Sequence, residues 1–296
     1  MHDRTSIRRA TAIGAGAVLL WSSLAVLATA AGPVPPFQMV AMAFALAFLL
    51  ALSSWIARGE NVTRHLALDA RVWALGIGGL FGYHACYFAA LSLAPPVEAN
   101  LINYLWPLLI VLFAGLLPGE RLTPWHLAGA AAGLAGCAVL IGVDAAQVKP
   151  QFAAGYAAAA AAAVIWAAYS VLSRRFGEVP TDAVGAFCGA TAVLALLAHL
   201  IFERTYWPHG SEWLAVLGLG LGPVGSAFFL WDVGMKRGDI KALGALSYAT
   251  PLLSTLLLIA FGRAGLSGRV ALACVLIVGG AALAARDLWR RSQVRC

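Results

Sequence analysis

Asn100, Asn103, Tyr104 and Pro107 recur at helical spacing inside a stretch that is otherwise apolar, and together they could bind a small solute. On a helix they fall on one face, a stripe of two amides, a phenol and a kink. Amides turned toward lipid are costly, so the stripe is expected to face a protein interior, where it can bond a substrate or a neighbouring backbone. Pro107 has no N–H and crowds the preceding turn, which frees the carbonyl near Asn103 for another partner.

A second set is aromatic. "GYHACYFAA" carries Tyr83, His84 and Tyr87, "IWAAYS" carries Trp166, Tyr169 and Ser170 on one face, and Phe228, Trp231 and Asp232 follow later in the chain. With Trp21, Trp106 and Tyr248, these rings suit a small organic molecule with a flat or greasy side chain, because ring contacts add about 0.5–1.5 kcal/mol each beyond area burial. A bound ammonium would gain a similar amount from the ring faces. A bare inorganic ion or a polyphosphate would want basic clusters instead. His84 reads either as a functional ionisable group or as a neutral histidine hydrogen-bonded between helices. Asp232 precedes Lys236 by one turn and is expected to pair with it; Glu98 is expected to be partly wet.

Catalytic chemistry has no footing in this pattern. No nucleophile–base pair, metal-ligand cluster or phosphate loop falls in the apolar segments, so no catalytic residue, metal ligand or cofactor is assigned. "GLGPVG" at 220–225 matches a dinucleotide fingerprint, but no strand precedes it, and it reads as a point where a helix bends. Five cysteines, an odd number without CxxC spacing, read as reduced packing residues.

These residues must be positioned by membrane helices. Hydrophobic residues make up 61% of the 296-residue chain and charged residues 11%, far from a soluble composition. Apolar runs of spanning length predict an all-α membrane protein of ten transmembrane helices: Ala10–Ala31, Pro36–Ile56, Val72–Leu93, Pro96–Leu117, Pro124–Ile141, Phe152–Ser173, Asp182–Phe202, Glu212–Met235, Ile240–Phe261 and Gly268–Leu288. The first run also resembles a cleavable export signal, but its near-spanning length and its counterpart deep in the chain favour a retained helix. A net charge of +7 is spread over segment ends rather than gathered in a patch, which argues against a nucleic-acid partner.

Sixteen of the twenty Lys and Arg residues fall in the terminal and loop segments of one side, leaving Lys149, Arg204, Arg263 and Arg269 for the other. The positive-inside rule then predicts cytoplasmic N- and C-termini. Trp55, Trp73, Trp125, Trp213 and Trp289 lie at segment ends and are expected to anchor in the headgroup layer with their N–H groups wet.

Residues 80–142 align with 224–286 at a constant shift of 144, which superposes "NYLWPLL" on "SYATPLL", Tyr104 on Tyr248 and Pro107 on Pro251. At a shift of 145, "VLLWSSLAVL" meets "AVIWAAYSVL" and Trp21 meets Trp166. The expected organisation is two five-helix repeats, residues 1–145 and 146–296, in one membrane domain. Five is odd, so the second repeat enters the membrane from the opposite side, an arrangement suited to alternating access at a site between the halves. Pro107, Pro223 and Pro251 are its candidate hinges. A duplication without functional meaning is the alternative.

"NYLWP", "IWAAYSVLSRRF" and "SYATPLL" together with this repeat resemble the drug/metabolite transporter superfamily, and within it the EamA-type, YddG-like aromatic amino acid exporters. The resemblance extends over nearly the whole chain. It implies a basket-like bundle whose cavity is bounded by spans 1, 3, 4, 6, 8 and 9, with spans 5 and 10 as support, and it points to Asn103, Tyr104, Trp106 and Trp166 as cavity residues. The expectation is a secondary transporter of the bacterial inner membrane that exports neutral or aromatic amino acids, with the lipid bilayer and the small-molecule substrate as its partners, as a monomer or weak homodimer. Efflux of another metabolite or a cationic drug by the same fold stays open, as does a membrane-embedded enzyme or sensor.

Overall fold

A computed structural model of the chain describes residues 4–142, 149–260, 265 and 267–286. Every regular element among them is helical. Nine apolar helical segments are long enough to cross a membrane: Thr5–Ala30, Pro36–Ala57, Ala70–Leu93, Pro96–Ala114, Pro124–Ile141, Pro150–Phe176, Ala183–Phe202, Glu212–Arg237 and Ile240–Ala260. A shorter apolar helix, Gly268–Ala284, stands where the sequence predicts the tenth. We number these ten segments as spans 1 to 10. Arg263, Trp289 and the last predicted residues of spans 9 and 10 lie outside the described residues.

Several spans are interrupted, each for a local reason. Span 1 breaks between Ser22 and Leu24, where the Ser22 and Ser23 hydroxyls donate to the Leu19 and Leu20 carbonyls and compete with the helix ladder. Span 4 breaks between Asn103 and Trp106, and span 9 between Leu246 and Ala249. In both a proline follows the break, removing the donor that the carbonyl four residues earlier would use. Spans 3 and 8 each contain one π turn, at Gly78–Gly82 and Gly222–Ser226. The two π turns are offset by the same 144 residues as the sequence repeat.

Packing follows the repeat as well. Span 1 packs on span 8 and span 3 on span 6, while spans 2 and 7, 4 and 9, and 5 and 10 pair with each other. Exchanging the halves maps the first two pairings onto one another and leaves the other three unchanged. Spans 5 and 10 approach closest: a Cβ built on Gly129 would lie 2.5 Å from the Gly280 carbonyl oxygen, and one on Gly280 2.5 Å from that of Gly129. Only residues without a side chain permit that separation.

Polar groups tie the segment ends. Glu120, between spans 4 and 5, pairs with Arg174 at 3.0 Å and Lys241 at 2.6 Å. Arg58 pairs with Glu60 and with Asp182 of the other half. At the opposite ends, Glu203 accepts from the backbone N–H groups of Phe37 and Gln38 at the start of span 2 and from His199. Trp55 departs from its expected role as a wet anchor. It is fully buried, its N–H has no partner among the described residues, and the short helix Val62–Leu66 stacks His65 on its ring at 4.3 Å. Trp125 and Trp213 are exposed.

Candidate substrate-binding site

Four indoles from four spans converge between the halves. The Trp21 ring centroid lies 5.7 Å from that of Trp166, 6.3 Å from Trp106 and 5.0 Å from Trp231. Trp106 and Trp231 complete the set at 6.0 Å, and most of these pairs meet edge to face. All four side chains are buried. Two of their N–H groups have partners: Trp21 Nε1 donates to the Pro223 carbonyl at 3.0 Å, and Trp231 Nε1 to Ser170 Oγ at 3.0 Å.

A more polar layer adjoins the indoles. Tyr83 sits 5.5 Å from Trp166 and lies parallel to Tyr87 at 5.9 Å, one turn further along span 3. Asn103 Nδ2 donates to the Tyr83 hydroxyl at 3.2 Å, and the Tyr87 hydroxyl donates to Asn100 Oδ1. Asn103 Oδ1 is buried without a partner among the described residues. Tyr83, His84, Tyr87, Asn100 and Tyr104 are half-buried, whereas the indoles beside them are closed off. The layer therefore combines an accessible polar rim with an apolar floor.

His84 Nδ1 lies 2.7 Å from the Leu80 carbonyl oxygen. A carbonyl only accepts, so the Nδ1 atom carries a proton and donates it, and Nε2 makes no hydrogen bond among the described residues. Leu80 belongs to the π turn of span 3, and its carbonyl also accepts from the Tyr83 N–H. The π turn of span 8 is met in the same manner, by Trp21 on Pro223. A site side chain thus bonds to the π turn in each half.

Two predicted site residues pack against glycine backbone. Tyr169 contacts Trp166 at 5.3 Å but lies over the backbone of Gly79, where an added Cβ would sit 2.3 Å from its ring. Tyr248 is fully buried against Gly133 of span 5, and its hydroxyl accepts from the Leu108 N–H at 3.2 Å, the first backbone donor after Pro107. The hydroxyl of Tyr104, its repeat counterpart, has no hydrogen-bond partner among the described residues, and the residue stays half-buried. Of the candidate hinges, Pro107 and Pro251 each follow a helix break and Pro223 lies within a π turn.

The structure adds rings that the sequence reading did not single out. Phe44 of span 2 is fully buried, 5.4 Å from both His84 and Phe228, and Phe88 lies 6.0 Å from His84. Phe44 has only alanines, methionine and leucine around it in the sequence, so nothing distinguishes it from a packing residue. Asp232 and Lys236 pair at 2.9 Å with both side chains buried, and Thr181 donates to the same carboxylate.

Broken helices whose breaks and π turns repeat between two halves, around a floor of indoles, define a membrane transporter scaffold. Residues 9–142 and 153–286 each match the EamA-like transporter family, again offset by 144 residues, and the chain belongs to that family. It is a multi-pass membrane protein. It is 57% identical over 277 residues, 93% of this chain and 96% of the relative, to a protein of Ancylobacter novellus named aromatic amino acid exporter YddG. Proteins of the same name from Salmonella typhimurium and Escherichia coli are 27% and 25% identical, covering 84% and 93% of this chain and 87% and 96% of their own. A solved crystal structure, 56% identical, superposes with a TM-score of 0.92 over 97% of this chain and 100% of its own.

Proposed function

We propose that this chain is a secondary transporter that exports amino acids, aromatic or neutral, across the bacterial inner membrane by alternating access. The observation that carries this reading is the convergence of Trp21, Trp106, Trp166 and Trp231 beneath a half-buried layer of tyrosines, histidine and asparagine. The names of the relatives support the cargo class. A substrate ring meets the edges and faces of Trp106 and Trp166, while Asn103 Oδ1, buried and without a partner, accepts from its ammonium group. Tyr83, His84, Tyr87 and Tyr104 complete the contact surface; Tyr169 and Tyr248 hold the surrounding backbone.

The Lys and Arg asymmetry supports cytoplasmic termini and, with an odd number of spans in each repeat, opposite orientations of residues 1–145 and 146–296. Bending at Pro107, Pro223 and Pro251 then exposes the site to one face at a time. The experiment is substrate counterflow in proteoliposomes over an amino acid panel, with hydrophobic cations as competitors. Trp166→Ala and Tyr104→Ala, each purified and folded, are expected to cut flux at least tenfold. Wild-type rates in both variants would remove the site from the mechanism, and exchange of cations but not of amino acids would change the cargo.

A further inference from the structure

We infer that Glu120, Arg174 and Lys241 form an ionic lock that holds the cytoplasmic end of the bundle closed and has no counterpart at the outer end; its part in a transport cycle rests on the function proposed above. Spans 4 and 9 each have one arm on either side of their break. The arms at the lysine- and arginine-rich ends, Trp106–Ala114 and Ile240–Leu246, pack on each other. A Cβ built on Gly244 would lie 3.0 Å from the Ile110 side chain and 3.1 Å from the Pro107 carbonyl oxygen. The arms at the other ends, Pro96–Asn103 and Ala249–Ala260, diverge. The first lies mainly on spans 3 and 6 and the second mainly on spans 1 and 10. Among the described residues no hydrogen bond or ion pair joins these two outer arms.

Charge reinforces the closed end. Glu120 belongs to the first half, and it accepts from Arg174 Nη1 at 3.0 Å and Lys241 Nζ at 2.6 Å, both of the second half. Arg174 also donates to the carbonyls of Met235, at 2.9 Å, and Gly238, where span 8 ends. Lys241 also donates to the Arg121 carbonyl at 3.3 Å. The loop after span 4, the end of span 6 and the junction of spans 8 and 9 are thereby tied at one point. The three side chains are half-buried, so salt screens the pairs less than it would on an open surface. Removing the Glu120 carboxylate breaks both pairs at once and leaves two cations facing each other.

The repeat locates the same three positions at the outer end. At the offset of 144, Glu120 corresponds to Ala264 and Lys241 to Val97; at the offset of 145 that superposes Trp21 on Trp166, Arg174 corresponds to Thr29. None of these carries a charge. When the halves exchange conformations, as alternating access requires, the charged end opens and a neutral end closes. The ion pairs are made in only one of the two forms, so they displace the resting equilibrium toward the form closed to the cytoplasm. Loading from the cytoplasm then begins with the parting of Glu120 from its two cations.

Thiol accessibility in oriented vesicles reads the gate directly. In a protein whose native cysteines are replaced, Ser170→Cys places a reporter beside Trp231, one turn from Trp166 toward the cytoplasmic end of span 6. Asn100→Cys places a second reporter on the outer arm of span 4. Glu120→Gln is expected to speed labelling of the Ser170→Cys thiol by a membrane-impermeant maleimide on the cytoplasmic side about fivefold. Labelling of the Asn100→Cys thiol from the outer side should not rise. Lys241→Met should act in the same direction, and Lys241→Arg, which keeps the charge, should retain the parent rate. Parent rates in both Glu120→Gln and Lys241→Met would overturn the inference, as would faster labelling at both reporters, the mark of a loosened fold. Absence of counterflow in the wild type would instead overturn the transport reading, and the labelling rates would still decide whether these groups hold the end closed.

Discussion

Trp21 and Pro223 are joined across the two halves by a 3.0 Å hydrogen bond from the indole N–H to a carbonyl of the span 8 π turn. One side chain thereby closes the aromatic floor and bonds to the backbone of the π turn. Trp21→Phe keeps the ring and removes the donor. In membrane proteins such a bond is worth about 0.6 kcal/mol on average and at most about 1.7. We expect a small fall in the thermal midpoint of the purified protein together with a change in flux larger than that fall explains. An unchanged flux would show that the bond serves only packing.

Asp232 and Lys236 form a buried pair, so removing one partner strands a charge. Asp232→Asn is expected to destabilise the protein by about 3–5 kcal/mol, and the double variant Asp232→Asn with Lys236→Met by much less. Denaturant titration of all three proteins in detergent tests this, and equal losses in the single and double variants would refute it.

Glycines in span 10 separate packing from propensity. Gly280→Ala places a methyl 2.5 Å from the Gly129 carbonyl oxygen, which is backbone and cannot rotate away, whereas Gly279→Ala meets nothing within 4 Å. The first should reduce the yield of folded protein severely, and the second should be silent, as judged by monodispersity on gel filtration.

Glu120 gives a pH signature outside the membrane. Burial pushes its carboxyl up, but the hydrogen bond and charge of Lys241, with Arg174, outweigh this and leave it below the ordinary 4.5. A carboxyl lowered in the folded state stabilises at neutral pH, and that contribution disappears as pH falls through the lowered value. Thermal stability should therefore drop below about pH 4.5 more steeply in the wild type than in Glu120→Gln. Parallel curves for the two proteins would assign the drop to other groups.

Much of this architecture was readable because membranes restrict what a chain can do. Runs of apolar residues located the spans, and Pro107 and Pro251 marked the breaks because proline cannot donate to the helix ladder. The π turns were not readable as such: "GLGPVG" showed only that a bend was permitted, and the glycines of "GIGGLFG" drew no attention. The break after Ser22 also went unseen, since serine in a membrane helix is usually tolerated without one. Phe44 lay hidden among similar apolar neighbours. Trp55 and Glu98 looked like interfacial residues from their positions at segment ends. Their burial arises from tertiary contacts, His65 stacked on the indole in one case and the packing of span 4 against spans 3 and 6 in the other.

The glycine seam between spans 5 and 10 limits how the molecule can work. These helices belong to different halves, yet their backbones touch, so neither can slide or roll on the other without a collision between main chains. Two intact five-helix blocks swinging about each other would shear that joint. For the transport cycle proposed above, the seam predicts a fixed spine, with motion confined to the short arms of the interrupted helices, each flexing at its own break while the spine keeps their roots in register.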